Sequence, residues 1–331
     1  MSSKPHAVVT GGAGFIGSHL VDSLLDDGFE VTSLDNFGSG RAQNLTHIES
    51  DAFASIEHDV REPFPDLGNV DYVFHLASRA SPKDFESHAV EIALTNSEGT
   101  HNALCCARDN DARAILASTS EVYGDPEVHP QNEAYNGNVN VRGSRAPYDE
   151  SKRFSEALAV AFQRQYEIDV RTIRIFNTYG PRMRPDDGRV IPNFLSQALR
   201  GEDLTVYGDG TQTRSFCYVS DLVDGIRTFA DADPETAAGE VINLGSTEEI
   251  EIRALATTVL DVLGVDSDIV HRPLPEDDPQ VRRPDITRAK QVLGWEPTIS
   301  LEAGLERTVS YFEDELDPSV DNPWKTRKET N

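Results

Sequence analysis

The chain has 331 residues, of which 38% are hydrophobic and 26% charged, a composition typical of a globular protein rather than a disordered one. Thirty basic residues against 57 acidic ones give a formal net charge of −27, which disfavours nucleic acid and anionic membranes as partners. No apolar run approaches the roughly 18 residues of a membrane span and no signal peptide is evident, so the sequence predicts a cytoplasmic protein.

The acidic residues are spread along the whole chain instead of forming one tail, and only six of the thirty basic residues are lysines. Molar salt screens the repulsion between surface charges, so this pattern favours a halophilic protein. An ordinary acidic cytosolic protein is the alternative interpretation.

The cysteines give no sign of a metal site. Cys105, Cys106 and Cys217 lack the spacing of metal ligands, and the first two lie in an apolar segment with helical periodicity. We expect them to pack as small hydrophobic residues, and we expect no bound metal.

In the first half of the chain, short apolar segments alternate with helical ones. Strands are predicted at residues 6–10, 31–34, 72–77, 113–118 and 170–175, with helices after the first strand and at residues 90–108 and 149–166. This alternation predicts an α/β fold with a doubly wound parallel sheet of the Rossmann type. The loops after the strands then share one edge of the sheet, where ligands bind in such folds.

The second half of the chain is divided into shorter elements by prolines and glycines. A helix is predicted at residues 218–230, a strand that rejoins the sheet at 241–244, and two helices between residues 250 and 312 around the loop 273–284. The expected division is a Rossmann domain of residues 1–177 and 217–245, a smaller interleaved substrate-binding lobe of residues 178–216 and 246–314, and a flexible tail at 315–331.

A glycine-rich turn follows the first predicted strand. Gly11 permits the tight turn, Gly14 allows the backbone to approach a pyrophosphate, and Gly17 allows close packing of helix and strand. The N–H groups and the partial positive charge at the start of the helix favour phosphate binding. The position of this turn between a strand and a helix predicts a dinucleotide site.

The acidic residue after the second strand indicates which dinucleotide is bound. Asp35 can accept hydrogen bonds from both ribose hydroxyls and would repel a 2′-phosphate, so NAD is favoured over NADP. Arg41 could pair with such a phosphate but is better interpreted as a structural loop residue. Asp59 and Val60 fall where a loop after a third strand would meet adenine, and an ordinary turn carboxylate is the alternative for Asp59.

Tyr148 and Lys152 lie four residues apart on a predicted helix that begins at Pro147. Residues at this spacing share a helix face, and a nearby ammonium lowers the pKa of a phenol, which makes the tyrosine a usable base. A solvated pair on a helix surface is the alternative, but lysine is scarce in this sequence.

Polar residues follow the strand at residues 113–118. The hydroxyl of Thr119 can bind the oxygen that Tyr148 deprotonates, and the carboxylate of Glu121 is placed for a second proton transfer. A loop rich in serine and threonine that only caps the strand is the alternative. Together with the glycine turn, these residues predict a hydride-transfer site.

Over nearly its whole length, the sequence resembles the extended short-chain dehydrogenase/reductases, and within them the group of UDP-glucuronate decarboxylases. The segments that carry the resemblance in the first half are residues 11–20, 35–37, 75–78, 118–126, 129–131 and 148–153. Those in the second half are residues 174–183, 187–190, 204–216, 277–280, 282–286 and 294–297.

The resemblance implies a role for each matching site residue. Catalysis would involve Thr119, Ser120, Glu121, Tyr148, Lys152 and Arg282. NAD would bind Gly11, Gly14, Phe15, Ile16, Gly17, Asp35, Asn36, Asp59, Val60, Leu76 and Ala77, as well as Tyr148 and Lys152. The UDP-sugar substrate would bind Asn177, Arg182, Val190, Tyr207, Arg214 and Arg282, because arginine pairs well with phosphate and carboxylate. The family usually forms homodimers through two helices per subunit, here the predicted helices at 90–108 and 149–166.

The implied reaction is conversion of UDP-glucuronate into UDP-xylose, with NAD regenerated in each turnover. Oxidation at C4 creates a ketone β to the C6 carboxylate, and such an acid loses CO2 readily because the carbanion is delocalised. One departure from the family lies beside the nicotinamide pocket, where Arg79 replaces the usual proline.

Three alternatives remain open. A UDP-sugar 4-epimerase shares the fold, NAD, Tyr148 and Lys152, but needs neither Glu121 nor Arg282 to act on a carboxylate. A 4,6-dehydratase uses an Asp-Glu pair after the strand, and Ser120 occupies the Asp position. A non-catalytic NAD-binding protein would be favoured by loss of the tyrosine or the lysine, and both are present.

Overall fold

The computed structural model describes residues 4–274 and 280–317. The strands, in chain order, are β1 (His6–Thr10), β2 (Glu30–Asp35), β3 (Phe53–Glu57), β4 (Tyr72–His75), β5 (Arg113–Thr119), β6 (Val170–Ile175), β7 (Thr178–Tyr179), β8 (Leu204–Tyr207), β9 (Thr213–Ser215), β10 (Cys217–Tyr218), β11 (Val241–Leu244), β12 (Glu249–Glu251), β13 (Ile269–Arg272) and β14 (Val281–Arg282).

The helices are α1 (Phe15–Asp26), α2 (Asp84–Ser87), α3 (Ala89–Asn110), α4 (Ala146–Tyr166), α5 (Val190–Leu199), α6 (Val219–Asp231), α7 (Pro234–Ala237), α8 (Ile252–Leu263), α9 (Thr287–Leu293) and α10 (Leu301–Leu316). Short 3-10 turns occupy Ala42–Leu45 and Ser120–Tyr123.

The central sheet has seven strands in the order β11-β6-β5-β4-β1-β2-β3, and every neighbouring pair is parallel. Since parallel strands need crossover connections, helices cover both faces of the sheet, and its strands are apolar on both sides. In β1, for example, Val8 belongs to the core formed with α3 and α4, whereas Ala7 and Val9 belong to the core formed with α1 and α6.

A second, smaller lobe is built from the segments between and after the last strands of the central sheet. Three small sheets pair β8 with β13, β7 with β10, and β9 with β12 and β14. Helices α5, α8 and α10 share one apolar core with this region and with α6. The lobe lies beside the carboxyl edge of the central sheet because β7 follows β6 directly.

The predicted fold class is confirmed, although some predicted elements differ from those of the structure. The strand predicted at residues 72–77 ends at His75, because residues 76 and 77 belong to the loop at the sheet edge. The C-terminal part contains three described helices instead of two, since Gly294 ends α9 in a left-handed conformation and Ser300 caps a separate α10. The helix α10 also continues to Leu316, into the predicted tail, whose residues 318–331 lie outside the described residues.

Asp221, near the start of α6, joins the central domain to the segment before α10. Its carboxylate accepts hydrogen bonds from the backbone N–H groups of Thr298 (2.9 Å) and Ile299 (2.8 Å) and from the hydroxyl of Thr298 (3.0 Å). The indole N–H of Trp295 donates to the carbonyl oxygen of Asp221 at 3.1 Å. One buried carboxylate therefore fixes how the C-terminal helix packs.

We predict that Asp221→Ala lowers the free energy of unfolding by about 2–4 kcal/mol, because hydrogen bonds to a charged group contribute roughly 1.5–3 kcal/mol each and water replaces part of them. Urea unfolding followed by circular dichroism measures the change. Asp224→Ala, which removes an exposed carboxylate from the same helix, is the matched control and should change stability by less than about 0.5 kcal/mol. Equal effects of the two variants would contradict the anchoring role of Asp221.

Candidate active site

The glycine-rich turn between β1 and α1 leaves no room for side chains. Gly11 has a φ of +71°, and a Cβ there would lie 2.9 Å from the backbone of Ala77. A Cβ on Gly17 would overlap the carbonyl oxygen of Gly11, so α1 packs directly on the turn. Gly14 caps the start of α1 and faces a cavity. A pyrophosphate fits this cradle, since bare backbone and a helix N-terminus surround it.

Asp35 ends β2 with its carboxylate buried beside the glycine turn. Its two oxygens accept hydrogen bonds from the backbone N–H groups of Ala13 (3.0 Å) and Phe37 (2.8 Å). Burial raises the pKa of Asp35, and these two hydrogen bonds oppose the shift. A Cβ on Gly40 would lie 2.6 Å from the carboxylate, so the loop passes close over it. The remaining acceptor positions suit the hydroxyls of a ribose.

One cavity runs along the carboxyl edge of the central sheet, from Asp35 past the glycine turn to Tyr148. Most residues predicted from the sequence lie on its wall. These are Gly11, Gly14, Phe15, Ile16, Gly17, Asp35, Asn36, Val60, Leu76, Ala77, Thr119, Ser120, Glu121, Tyr148, Lys152, Asn177 and Arg182. The cavity is therefore long enough to bring a dinucleotide-binding end and a reactive end into one site.

Asp59 lies next to this wall, and its carboxylate is bound by other side chains of the protein. Its carboxylate forms a two-pronged ion pair with Arg61 and accepts a hydrogen bond from Asn36 at 3.4 Å. The hydrogen bond from Arg61 lowers the pKa of Asp59 to about 2. The adjacent Val60 lines the cavity and Asp59 does not. Of the two residues predicted to contact adenine, Val60 is therefore the better placed.

Tyr148 and Lys152 are both buried at the start of α4. The ammonium of Lys152 donates to the carbonyl oxygen of Ala117 at 2.7 Å, and burial lowers the pKa of Lys152 to about 8. Thr119, the last residue of β5, hydrogen-bonds the phenol of Tyr148. The three groups therefore converge where β5 and α4 meet.

The structure corrects the expectation that Lys152 brings the pKa of Tyr148 down to the neutral range. Burial raises the pKa of Tyr148 to about 12, and the opposing effects of the Thr119 hydrogen bond and the Arg189 charge are smaller. Phe85, whose ring stacks on that of Tyr148 with centroids 5.0 Å apart, contributes to this burial. In the protein alone, Tyr148 is a neutral phenol that can donate or accept a hydrogen bond.

Glu121 lies between two guanidinium groups. The Nη1 of Arg282 and the Nη2 of Arg145 both contact its Oε1, the second at 2.6 Å. Burial alone would raise the pKa of Glu121, but the two positive charges hold this pKa at about 2. Glu121 is thus an ionised carboxylate near the reactive end of the cavity, and Arg282 reaches it from the second lobe.

The predicted substrate residues are less concentrated. Asn177 lines the cavity and donates weakly to the carbonyl oxygen of Ser215 at 3.5 Å. Arg182 pairs with Asp22 of α1 at 2.7 Å, on the side of the glycine turn. Among the described residues of the cavity wall, four predicted substrate residues, Val190, Tyr207, Arg214 and Arg282, do not occur.

Three further residues of the reactive end were missed from the sequence. Arg145 lies three residues before Tyr148, so its helical spacing could have indicated it. Phe85 carries no sequence signal, because nothing in its segment indicates that it stacks on Tyr148. Arg189 binds Asp187 at 3.1 Å and contacts the carbonyl oxygen of Ala80, beside Tyr148.

The described parts of the chain offer no cluster of three or more histidine, cysteine or acidic side chains that could hold a metal ion. Nor do residues 4–274 and 280–317 contain a helix that is long and apolar enough to cross a membrane.

The parallel sheet, the glycine turn and the Tyr–Lys pair at one edge define a protein of the dehydrogenase type that uses a nicotinamide dinucleotide. The sequence profile of the NAD dependent epimerase/dehydratase family matches residues 7–245. The chain belongs to this family, and its cofactor is NAD. The predictions of the family and of the cofactor are confirmed.

Known proteins are similar to the chain over most of its length. It is 49% identical to UDP-glucuronic acid decarboxylase 1 of Danio rerio, with 97% of this chain and 76% of that protein covered. It is 50% identical to UDP-glucuronic acid decarboxylase 5 of Arabidopsis thaliana, over 92% of this chain and 88% of that protein. The solved structure of UDP-glucose 4-epimerase from Thermotoga maritima with UDP-glucose has a TM-score of 0.86 and 32% identity, and covers 94% of this chain and 100% of that chain.

We predict that Asp35→Ala weakens NAD binding by at least about tenfold, because hydrogen bonds from two ribose hydroxyls to one carboxylate are lost. Calorimetric titration of NAD-depleted protein measures the affinity. Glu57→Ala is the control, since Glu57 pairs in register with Asp35 on the neighbouring strand but is exposed. Thermal unfolding of both variants shows whether they remain folded, and unchanged NAD affinity in folded Asp35→Ala would move the ribose contact elsewhere.

Proposed function

We propose that the protein converts UDP-glucuronate into UDP-xylose and CO2 by oxidation, decarboxylation and reduction in one site. The observation that carries this proposal is the position of Glu121, with its two arginines, in the same cavity as Tyr148, Thr119 and Lys152. A charged cluster beside the hydroxyl-binding residues suits a sugar that bears both a hydroxyl and a carboxylate. The similarity to UDP-glucuronic acid decarboxylases supports the same conclusion.

In the proposed reaction, Tyr148 must first lose its own proton, since burial keeps it a neutral phenol in the protein alone, and its phenolate then takes the proton of the sugar 4-hydroxyl. The positive charges of Lys152 and of bound NAD would stabilise this phenolate. Thr119, which hydrogen-bonds the phenol, binds the same oxygen and keeps it in line with Tyr148. Lys152 holds a positive charge close to the phenol and is fixed by Ala117. NAD, which the glycine turn and Asp35 would hold, would supply the acceptor for the hydride of C4 and the donor for its return. The residues around O4 therefore stabilise negative charge on this oxygen both in the oxidation at C4 and in the later reduction.

Loss of CO2 depends on the ketone at C4 and does not require an acidic group of the protein. The electron pair of the C5–C6 bond moves onto C5 and is delocalised onto O4, where Tyr148 and Thr119 donate hydrogen bonds. A proton must then reach C5. Because two guanidiniums keep Glu121 ionised, this residue can accept a proton or orient a water molecule, but it does not enter the reaction as an acid.

The test is incubation of the purified protein with UDP-glucuronate, UDP-glucose and UDP-galactose in separate reactions, without added NAD. We expect UDP-xylose and CO2 from UDP-glucuronate only, since a cofactor that is regenerated in each turnover can stay bound. Anion-exchange chromatography identifies the nucleotide sugars, and trapped CO2 is counted. Interconversion of UDP-glucose and UDP-galactose without CO2 would replace the proposal with a 4-epimerase.

We predict that Tyr148→Phe lowers the rate of CO2 release about 10²–10⁴-fold, the usual effect of losing a general base, while NAD stays bound. Absorbance of bound cofactor and the rate of CO2 release are measured on the same preparation. Tyr166→Phe, at the exposed end of the same helix, is the control and should act at the parent rate. Normal turnover by Tyr148→Phe would show that α4 does not carry the base.

We also propose that the protein works as a homodimer whose interface includes α3 and α4. These helices pack side by side, and their outer faces expose Val90 (73%) and Leu94 (36%) on α3 and Phe154 (50%) on α4. Apolar side chains clustered on two adjacent helices favour a helical bundle with a second copy. Salt adaptation is proposed on the net charge of −27 and the scarcity of lysine, and a cytoplasmic location stays a prediction from the sequence.

The domain division is likewise proposed along the predicted boundaries. Residues 1–177 and 217–245 include the central sheet, and residues 178–216 and 246–314 include every strand of the small sheets except β10, together with α5, α8, α9 and most of α10. The first part would hold NAD and the second the nucleotide of the substrate.

A further inference from the structure

The two arginines that bind Glu121 differ in their exposure to the cavity. The Nη1 of Arg282 contacts Glu121, its Nη2 donates to the carbonyl oxygen of Gly124 at 3.3 Å, and its side chain is only 4% exposed. Arg145 lies on the cavity wall, with 22% of its side chain exposed. The described residues of that wall include Arg145 but not Arg282. A substrate in the cavity can therefore contact Arg145, whereas Arg282 binds Glu121 from outside the cavity wall.

The position of Arg145 is fixed relative to Tyr148. It is the residue before α4 and lies three residues before the tyrosine, so both side chains leave the same side of the first helical turn. The ring of Phe85 contacts both, since it stacks on Tyr148 and lies 5.4 Å from the guanidinium carbon of Arg145. In a hexuronate, C6 is two bonds from C4, so a group that binds the carboxylate must lie close to the residue that binds O4.

From this geometry we propose that Arg145 is the residue that recognises the sugar carboxylate, and that Arg282 is a positioning residue that holds Glu121. The inference rests on the proposed function. It changes the role that the family resemblance implied for Arg282, which was to bind the UDP-sugar and to take part in catalysis.

The charges around Arg145 agree with this role. Arg145 and Arg282 carry two positive charges against one ionised carboxylate, Glu121. Asp149, the next acidic residue in the cluster, has a buried oxygen with no hydrogen-bond partner, and burial together with the charge of Glu121 raises its pKa to about 7. The raised pKa of Asp149 favours its neutral form, so Glu121 is the carboxylate that opposes the two arginines, and a substrate carboxylate would add a second negative charge beside them.

The test compares binding of UDP-glucuronate and UDP-glucose to the NAD-loaded protein by calorimetry, in the Tyr148→Phe background that prevents turnover. We expect the starting protein to prefer the carboxylate ligand. Arg145→Gln should reduce this preference at least about tenfold, with the affinity for UDP-glucose changed less than about threefold, because a charge-assisted hydrogen bond is lost only for the acid. Arg145→Lys keeps the charge without the planar fork and should reduce the preference less.

Arg282→Gln is the matched comparison. In the Tyr148→Phe background, we expect it to retain the preference for UDP-glucuronate. In protein that has Tyr148, we expect it to slow CO2 release, because Glu121 is no longer held in position. Thermal unfolding of each variant monitors folding, and Arg145→Lys decides the question if Arg145→Gln is unfolded.

Three results are informative against the proposal. A preference that survives in both Arg145 variants, or one that Arg282→Gln alone abolishes, overturns the role of Arg145 and leaves the proposed function intact. A starting protein with no preference for the carboxylate ligand, together with no CO2 release from the protein with Tyr148, overturns the proposed function as well.

Discussion

Parallel pairing of the seven central strands is the constraint on which the rest of the structure depends. It places the carboxyl ends of all strands at one edge, so that Asp35 at the end of β2 and Thr119 at the end of β5 open onto the same cavity. The crossover from β5 to β6 returns through α4, and this brings the start of α4, with Tyr148, to that edge. The backbone geometry alone therefore places the cofactor end and the reactive end of the site in one cavity, whichever side chains line it.

Burial then sets the chemistry of each group at the edge. Removing a carboxylate, a phenol or an ammonium from water disfavours its charged form, and the structure shows both outcomes. Glu121 stays ionised because two guanidiniums that contact it offset its desolvation, whereas burial and the charge of Glu121 raise the pKa of the neighbouring Asp149 to about 7 in spite of the same two guanidiniums. Tyr148 is kept neutral, with a pKa of about 12. Three titratable groups, Glu121 before α4 and Tyr148 and Asp149 within it, are thus held in different protonation states by their surroundings.

The sequence was sufficient to place the groups whose position follows from local spacing. The glycine turn, Asp35 and the Tyr148–Lys152 pair each lie within one strand–turn–helix unit, and all of them line the cavity. Contacts between distant segments could not be predicted this way. The pairing of Arg282 with Glu121 joins residues 161 positions apart, and the stacking of Phe85 on Tyr148 depends on how a short helix packs. The raised pKa of Tyr148 was missed for the same reason, since burial depends on the whole fold.

The arginines of the site and the acidity of the surface belong to one electrostatic arrangement. A protein of net charge −27 repels a nucleotide sugar at long range, yet the reactive end of its cavity presents Arg145 and Arg189. Salt at 1 M shortens the screening length to about 3 Å, which removes the long-range repulsion, but it acts much less on buried pairs such as Glu121 with its guanidiniums. Concentrated salt therefore favours approach of an anionic substrate while the charged contacts inside the cavity keep their strength. The proposed salt adaptation and the proposed recognition of a carboxylate are compatible because the two act at different distances.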